Sequence, residues 1–116
     1  MVFGLDNIKS VLSEDVESHL SDGYKLIDVR EEHEWNAGHH SSADHIPMAT
    51  IPEKLDTFEE NEKYIIICRS GNRSGKVTNY LNSQSIQAFN LTGGMREFSQ
   101  YSENIVDSTG KKGTVI

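Results

Sequence analysis

Cysteine is almost missing from this chain: Cys68 is the only one in 116 residues. One thiol cannot close an internal disulfide. This removes the disulfide-stapled secreted scaffolds and makes a reducing cytoplasm the expected compartment. Long apolar runs are also missing. No stretch approaches the ~18 residues a membrane span needs, and no membrane association is expected. The opening residues MVFGLDNIKS have neither the basic n-region nor the apolar h-region of a signal peptide. Basic excess is absent too. The net charge of −7 excludes general nucleic-acid binding.

Acid is missing from one block in particular. No Asp or Glu occurs from Lys63 to Arg96. Lys63, Arg69, Arg73, Lys76 and Arg96 give this block +5, so the other 82 residues carry −12. A locally positive site on an acidic protein suits a small anionic ligand rather than a polyanion. What the chain does have is enough apolar material, 35% of residues and clustered, for a folded single domain. The domain is expected over 1–105, with its core at about 10–101, followed by a polar tail over 106–116. That tail, DSTGKKGTVI at its end, is loosely ordered unless Val115 and Ile116 dock.

Strand and helix patterns alternate. SEDVESHLSDG reads as a helix with Ser13 as its cap, Val16 and Leu20 on one face and Gly23 just past its end. YKLIDV (24–29) reads as a buried strand. REEHEWNAG reads as a short helix stopped by Gly38, with Trp35 as its packing residue. ADHIP (43–47) is another short strand. TIPEKLDTF places Pro52, Leu55 and Phe58 at helical spacing. KYIIIC (63–68) is the near-continuous apolar run of a strand buried on both faces. SGKVTNYLNS reads as a helix, IQAFNL (86–91) as a strand, and GGMREFSQY as a turn into a short helix. This is the pattern of an α/β domain with a central, mainly parallel sheet flanked by helices on both faces.

The thiol sits where such a sheet places its chemistry. Ligands bind outside the carboxyl ends of strands in open α/β sheets, and Cys68 ends the KYIIIC strand. The following segment turns into a helix near Ser74, and helix N-termini present free N–H groups. Small residues allow a nest of inward N–H groups, with Gly71 and Asn72 best able to adopt a left-handed backbone. Arg69 and Arg73 supply positive charge, which favours the thiolate. Taken alone, Cys68 reads as a small buried hydrophobe. Two arginines, a Gly-Asn pair and a helix start within seven residues argue instead for an ionised thiol beside a held anion. Arg69 points outward or inward equally well; Arg73 faces inward or braces the loop. Ser70 and Ser74 are loop hydrogen-bonding residues.

Three blocks in order, LIDVREEHEWNAGHH…HIP, IIICRSGNRS and FNLTGGMREF, resemble the single-domain rhodanese family of thiosulfate sulfurtransferases. The resemblance spans roughly residues 10–100, and the Cys-Arg-Ser-Gly-x-Arg-Ser loop is its most specific part. It implies that Cys68 takes sulfane sulfur from an anionic donor such as thiosulfate, becomes a persulfide, and passes the sulfur to cyanide or a cellular thiol. It also places the main-chain cradle for persulfide and donor on Arg69, Ser70, Gly71, Asn72 and Arg73. No cofactor and no metal is implied, and a protein acceptor is compatible. An ionised thiol needs no separate base, in keeping with a loop that has no His or carboxylate.

Cysteine-dependent phosphatases and arsenate reductase-like enzymes form the enzymatic alternative. Phosphatases of that kind use Cys-x5-Arg, whereas four residues separate Cys68 from Arg73 here. A non-enzymatic persulfide carrier or binding module is the alternative of another class; the retained cysteine and loop glycine count against an inert module. The chain departs from the family's common pattern at His40, Ser42, Asp44 and Phe98. His39, His40 and His45 do not match a standard zinc spacing. Asp28 and Arg30 read as loop braces. Trp35 reads as core. Gly93 and Gly94 form a turn that can border the site.

Overall fold

Side chains of the central strand alternate between two cores. The computed structural model describes residues 9–116; the MVFGLDNI segment and the start of the expected domain lie outside them. In β5 (Lys63–Ile67), Tyr64 and Ile66 face one side and Ile65 and Ile67 the other, and all four are buried. This period of two is what an extended chain imposes. Cys68 continues the alternation onto the Tyr64–Ile66 side. Each fully buried isoleucine contributes on the order of 1.5–3 kcal/mol, so the strand that carries the thiol is the best-anchored element of the fold.

The main sheet has the order β1-β6-β5-β2-β4, with β1 at Ser10–Val11, β2 at Lys25–Asp28, β4 at Asp44–His45 and β6 at Gln87–Leu91. All of its pairings are parallel. Its edges are two-residue strands, short enough to limit edge pairing with other chains. One face is covered by α3 (Asn72–Ser83) and by a 3₁₀ helix at Met48–Thr57, through Val77, Leu81 and Ile51, with Phe58 just past the 3₁₀ helix. The other is covered by α1 (Val16–Ser21) and α4 (Gly94–Phe98), through Val16, Met95 and Phe98. A second, antiparallel pair joins β3 (His39–His40) to β7 (Ile105–Val106). This is the expected α/β architecture, with a parallel sheet between helices.

Several local expectations need correction. Ser13 does not cap α1: it lies in a 3₁₀ turn (Ser13–Asp15), and its buried hydroxyl has no partner among the described residues. TIPEKLDTF is wound as 3₁₀ helix, with Pro52 inside it. Asn72 is not left-handed; it is the first residue of α3, and Gly71 alone in the loop takes positive φ, at +103°. Trp35 lies outside both cores. It is half-buried and stacks on His39 at 3.5 Å and His45 at 4.8 Å between ring centroids. Both imidazoles are pinned by donating to carbonyls, His39 to Trp35 and His45 to Arg30. The buried residue of α2 (Glu32–Ala37) is instead Glu34. The tail folds back: Gly113 and Thr114 donate to Ile105 and Ala37, and Val115 packs on the α1–α4 core.

Candidate functional site

The chain leaves β5 at Cys68 and enters α3 at Asn72 with only three residues between. Gly71 makes this reversal possible. Its φ of +103° disfavours any side chain, and a Cβ there would sit 2.2 Å from the Thr92 carbonyl oxygen. The turn brings the Gly71 N–H to 3.1 Å from Cys68 Sγ, and the Ser74 hydroxyl approaches to 3.2 Å. Burial pushes the thiol up. The Ser74 hydroxyl and the N–H groups of Ser74, Gly71 and Ser70 more than offset it, and the net direction is below the ordinary thiol value. The thiol is thus poised mainly by hydroxyl and amide dipoles.

Arg73, assigned to the cradle on sequence grounds, braces the loop. Its guanidinium forms a two-pronged pair with Glu34, at 2.6 and 2.9 Å. Glu34 is anchored in turn by a capping box at the start of α2, where its carboxylate accepts from the Glu31 N–H at 3.0 Å. Arg73 holds the Glu34 carboxyl down, against a smaller upward push from burial, to about 2. An acid from outside the acid-free block therefore neutralises one of its cations. Arg69 turns outward, exposed, with Nε donating to the Ile116 carbonyl at 3.0 Å. Ser70 and Asn72 are exposed on the loop's outer side.

Two elements fix the loop from behind. The N–H groups of Met95 and Arg96 donate to the carbonyls of Cys68 and Arg69, at 2.7 and 3.0 Å. The approach is close because Gly94 lies between, with φ +62°; a Cβ there would be 2.3 Å from the Arg69 carbonyl oxygen and 2.6 Å from the Ser70 nitrogen. On β6, Asn90 is in register with Ile66 and so faces the same side as Cys68. Its Oδ1 accepts from Ser74 at 2.6 Å and its Nδ2 donates to the Gly71 carbonyl at 3.2 Å. At the end of β2, Asp28 forms a fully buried ion pair at 2.8 Å with Arg30, two residues past the strand, and Arg30 also holds the Gly38 carbonyl. That is the bracing role expected of the pair.

Glu34 and Asn90 escaped the sequence reading. Asn90 had a usable signal: a polar side chain on the inward face of a buried strand must have a partner. Glu34 had only its spacing from Glu31. The Cys68 side chain is buried beneath its loop. A cleft of about 570 Å³, lined by Ile27, His45, Phe58 and Tyr64 among others, includes no residue of the Cys68 loop. Among the described residues no helix is long and apolar enough to cross a membrane.

Comparison with known proteins places the chain by family and fold. The family model for the rhodanese-like domain matches residues 12–101. A Bacillus subtilis (strain 168) protein named Putative sulfurtransferase YtwF is 47% identical over 70 residues, covering 60% of this chain and 68% of that one. Thiosulfate sulfurtransferase GlpE of Tolumonas auensis is 30% identical over 70 residues, covering 60% and 66%. The crystal structure of a rhodanese-like domain protein from Staphylococcus aureus superposes with a TM-score of 0.75 at 33% identity, covering 92% of this chain and all of that one.

Proposed function

The chain belongs to the rhodanese-like domain family, and from that premise we propose that it is a sulfurtransferase carrying sulfane sulfur on Cys68, with thiosulfate or a similar small anion as donor. The observation that carries this reading is the thiol itself, held below its ordinary value by a cradle of N–H groups and one hydroxyl. The Cys68 thiolate attacks the outer sulfur of the donor. The new Sγ–S bond forms as the donor's S–S bond breaks, and sulfite leaves with the electron pair. The charge now lies on the outer sulfur, where loop N–H groups oriented like that of Gly71 offset it. Cyanide, or a cellular thiol, small or protein-borne, then attacks the outer sulfur and frees the Cys68 thiolate.

The short loop supports sulfur over phosphate. Four residues between Cys68 and Arg73 leave a narrower ring than five, and Arg73 is committed to Glu34 rather than free to clamp a phosphoryl group. Mass spectrometry after incubation with thiosulfate tests the reading. One added sulfur atom on Cys68 is expected, with none on the Cys68→Ser variant. Thiocyanate formation from thiosulfate and cyanide should vanish in the same variant. Phosphate release from an ester without sulfur loading would overturn the proposal in favour of phosphatase chemistry.

A further inference from the structure

We propose that Asn90 is a positioning residue: it competes with Cys68 for the single Ser74 hydroxyl proton and thereby sets how readily the thiol ionises. The inference deepens the reading of Cys68 as the reactive sulfur, and proton counting carries it. Ser74 Oγ lies 2.6 Å from Asn90 Oδ1 and 3.2 Å from Cys68 Sγ. A hydroxyl has one hydrogen to donate, and an amide oxygen only accepts. The Asn90 amide cannot be the other way round, because its Nδ2 donates to the Gly71 carbonyl. The Ser74 proton therefore serves Asn90 or the sulfur, never both.

Each choice matches one charge state of the sulfur. While Cys68 is a neutral thiol, Ser74 donates to Asn90 and its oxygen is free to accept from S–H. When Cys68 ionises, the hydroxyl turns to the thiolate, and the buried Asn90 Oδ1 loses its donor, which is costly. Ser74 thus favours ionisation while Asn90, acting through Ser74, restrains it. In sulfur transfer the charge leaves Sγ for the outer sulfur as the persulfide forms. The hydroxyl proton is then released to Asn90 again, so loading does not strand it. Ser74 is fully buried and Asn90 nearly so, which limits water as a substitute partner.

The surrounding charges do not perform this function. Arg73 is paired with Glu34, Asp28 with Arg30, and Arg69 and Arg96 are exposed on the loop and α4. Among the described residues none of these side chains is hydrogen-bonded to Ser74 or Asn90. Removing Asn90 would also leave the Gly71 carbonyl with a partner, since the Gly75 N–H donates to it at 3.0 Å.

The test is a double-mutant cycle read by the pH dependence of iodoacetamide alkylation, which reports Cys68 alone because it is the only cysteine. Ser74→Ala should raise the thiol pKa by about one to two pH units. Asn90→Leu adds apolar bulk, which acts in either background. Its shift should nonetheless be lower by about half to one unit with Ser74 present than in the Ser74→Ala background. Equal shifts in both backgrounds would mean that Asn90 acts only through packing or the loop, and would overturn the proposal. So would a Ser74→Ala variant with an unchanged thiol pKa. If Asn90→Leu does not fold, Asn90→Ala removes the same acceptor without bulk and serves in the same cycle. Alkylation uses no sulfur donor, so failure of sulfur transfer and failure of this coupling are seen separately.

Discussion

Gly94→Ala should disable the Cys68 loop from outside it. Gly94 has φ +62°, a conformation that costs an L-residue roughly 1–2 kcal/mol. The new Cβ would also meet backbone, 2.3 Å from the Arg69 carbonyl oxygen and 2.4 Å from its carbon. Real Cβ contacts essentially never fall below 3.0 Å, so loop and α4 must separate by about 0.7 Å. That displacement falls on Arg69 and Ser70, between the thiol and the Gly71 N–H that it needs. Misplacement of about 1 Å costs on the order of a hundredfold in rate. Persulfide formation from thiosulfate should therefore slow by roughly ten- to a hundredfold, and the thiol pKa should rise as the N–H groups lose alignment. The matched control is Gly23→Ala, with φ +96° and nothing within 4 Å of the added Cβ. It carries similar backbone strain and no collision. It should lower Tm by several degrees, at about 4–8 °C per kcal/mol, while leaving sulfur loading unchanged. Gly94→Ala with normal loading and an unshifted thiol would refute the argument that α4 holds the loop in place.

Two substitutions probe the ion pairs around the site. Glu34→Gln should cost about 2 kcal/mol at neutral pH: a carboxyl lowered to about 2 from an ordinary 4.5 stabilises the folded state above 4.5 by up to about 3 kcal/mol, and solvent screening at the partly exposed Arg73 reduces that. The contribution is lost as pH falls from 4.5 through about 2, so urea denaturation curves of the two proteins should converge across that window; a constant gap would remove Glu34 as the titrating group. Asp28→Asn leaves the fully buried Arg30 without its counter-charge, and should cost roughly 3–5 kcal/mol, seen as a large fall in Tm or loss of folded protein. A loss under 1 kcal/mol would show that Arg30 finds another partner.

The parts of the site that were legible in sequence are those made by local rules. An apolar run of four around a two-residue period gives a strand buried on both faces, and its end fixes where the thiol emerges. Gly71 and Asn72 read as the candidates for a left-handed backbone, and only Gly71 takes it; α3 starts at Asn72, two residues before the start near Ser74 that the sequence suggests, because Asn72 joins the helix rather than the turn. What stayed hidden is tertiary partnership. Arg73 reads as facing inward or bracing the loop, but its acid-free block does not show what it braces against; its partner, Glu34, lies 39 residues away in sequence and is brought over by the α2 capping box. Trp35 illustrates the same limit from the apolar side. A lone tryptophan on a short helix is expected in the core, but two imidazoles pinned by carbonyls offer it a stack at the surface instead.

This redistribution changes how the thiol must be understood. The acid-free block suggests that cations ionise Cys68. In the folded chain Arg73 is neutralised by Glu34 and Arg69 turns away toward Ile116. The groups hydrogen-bonded to the sulfur are a hydroxyl and backbone N–H dipoles, fixed by α3, β6 and α4, while Arg73, paired with Glu34, adds only a lesser charge–charge attraction to Cys68. Dipoles of this kind act over short distances and only in the right orientation, whereas a nearby cation acts over a Debye length of about 10 Å. Control of the thiol therefore passes from the charge of the loop to its shape. Residues that hold that shape without touching the sulfur, Gly94 and Asn90 above all, should matter more to its reactivity than the exposed Arg69 and Arg96. Neutralising either arginine should accordingly move anion binding more than it moves the thiol pKa.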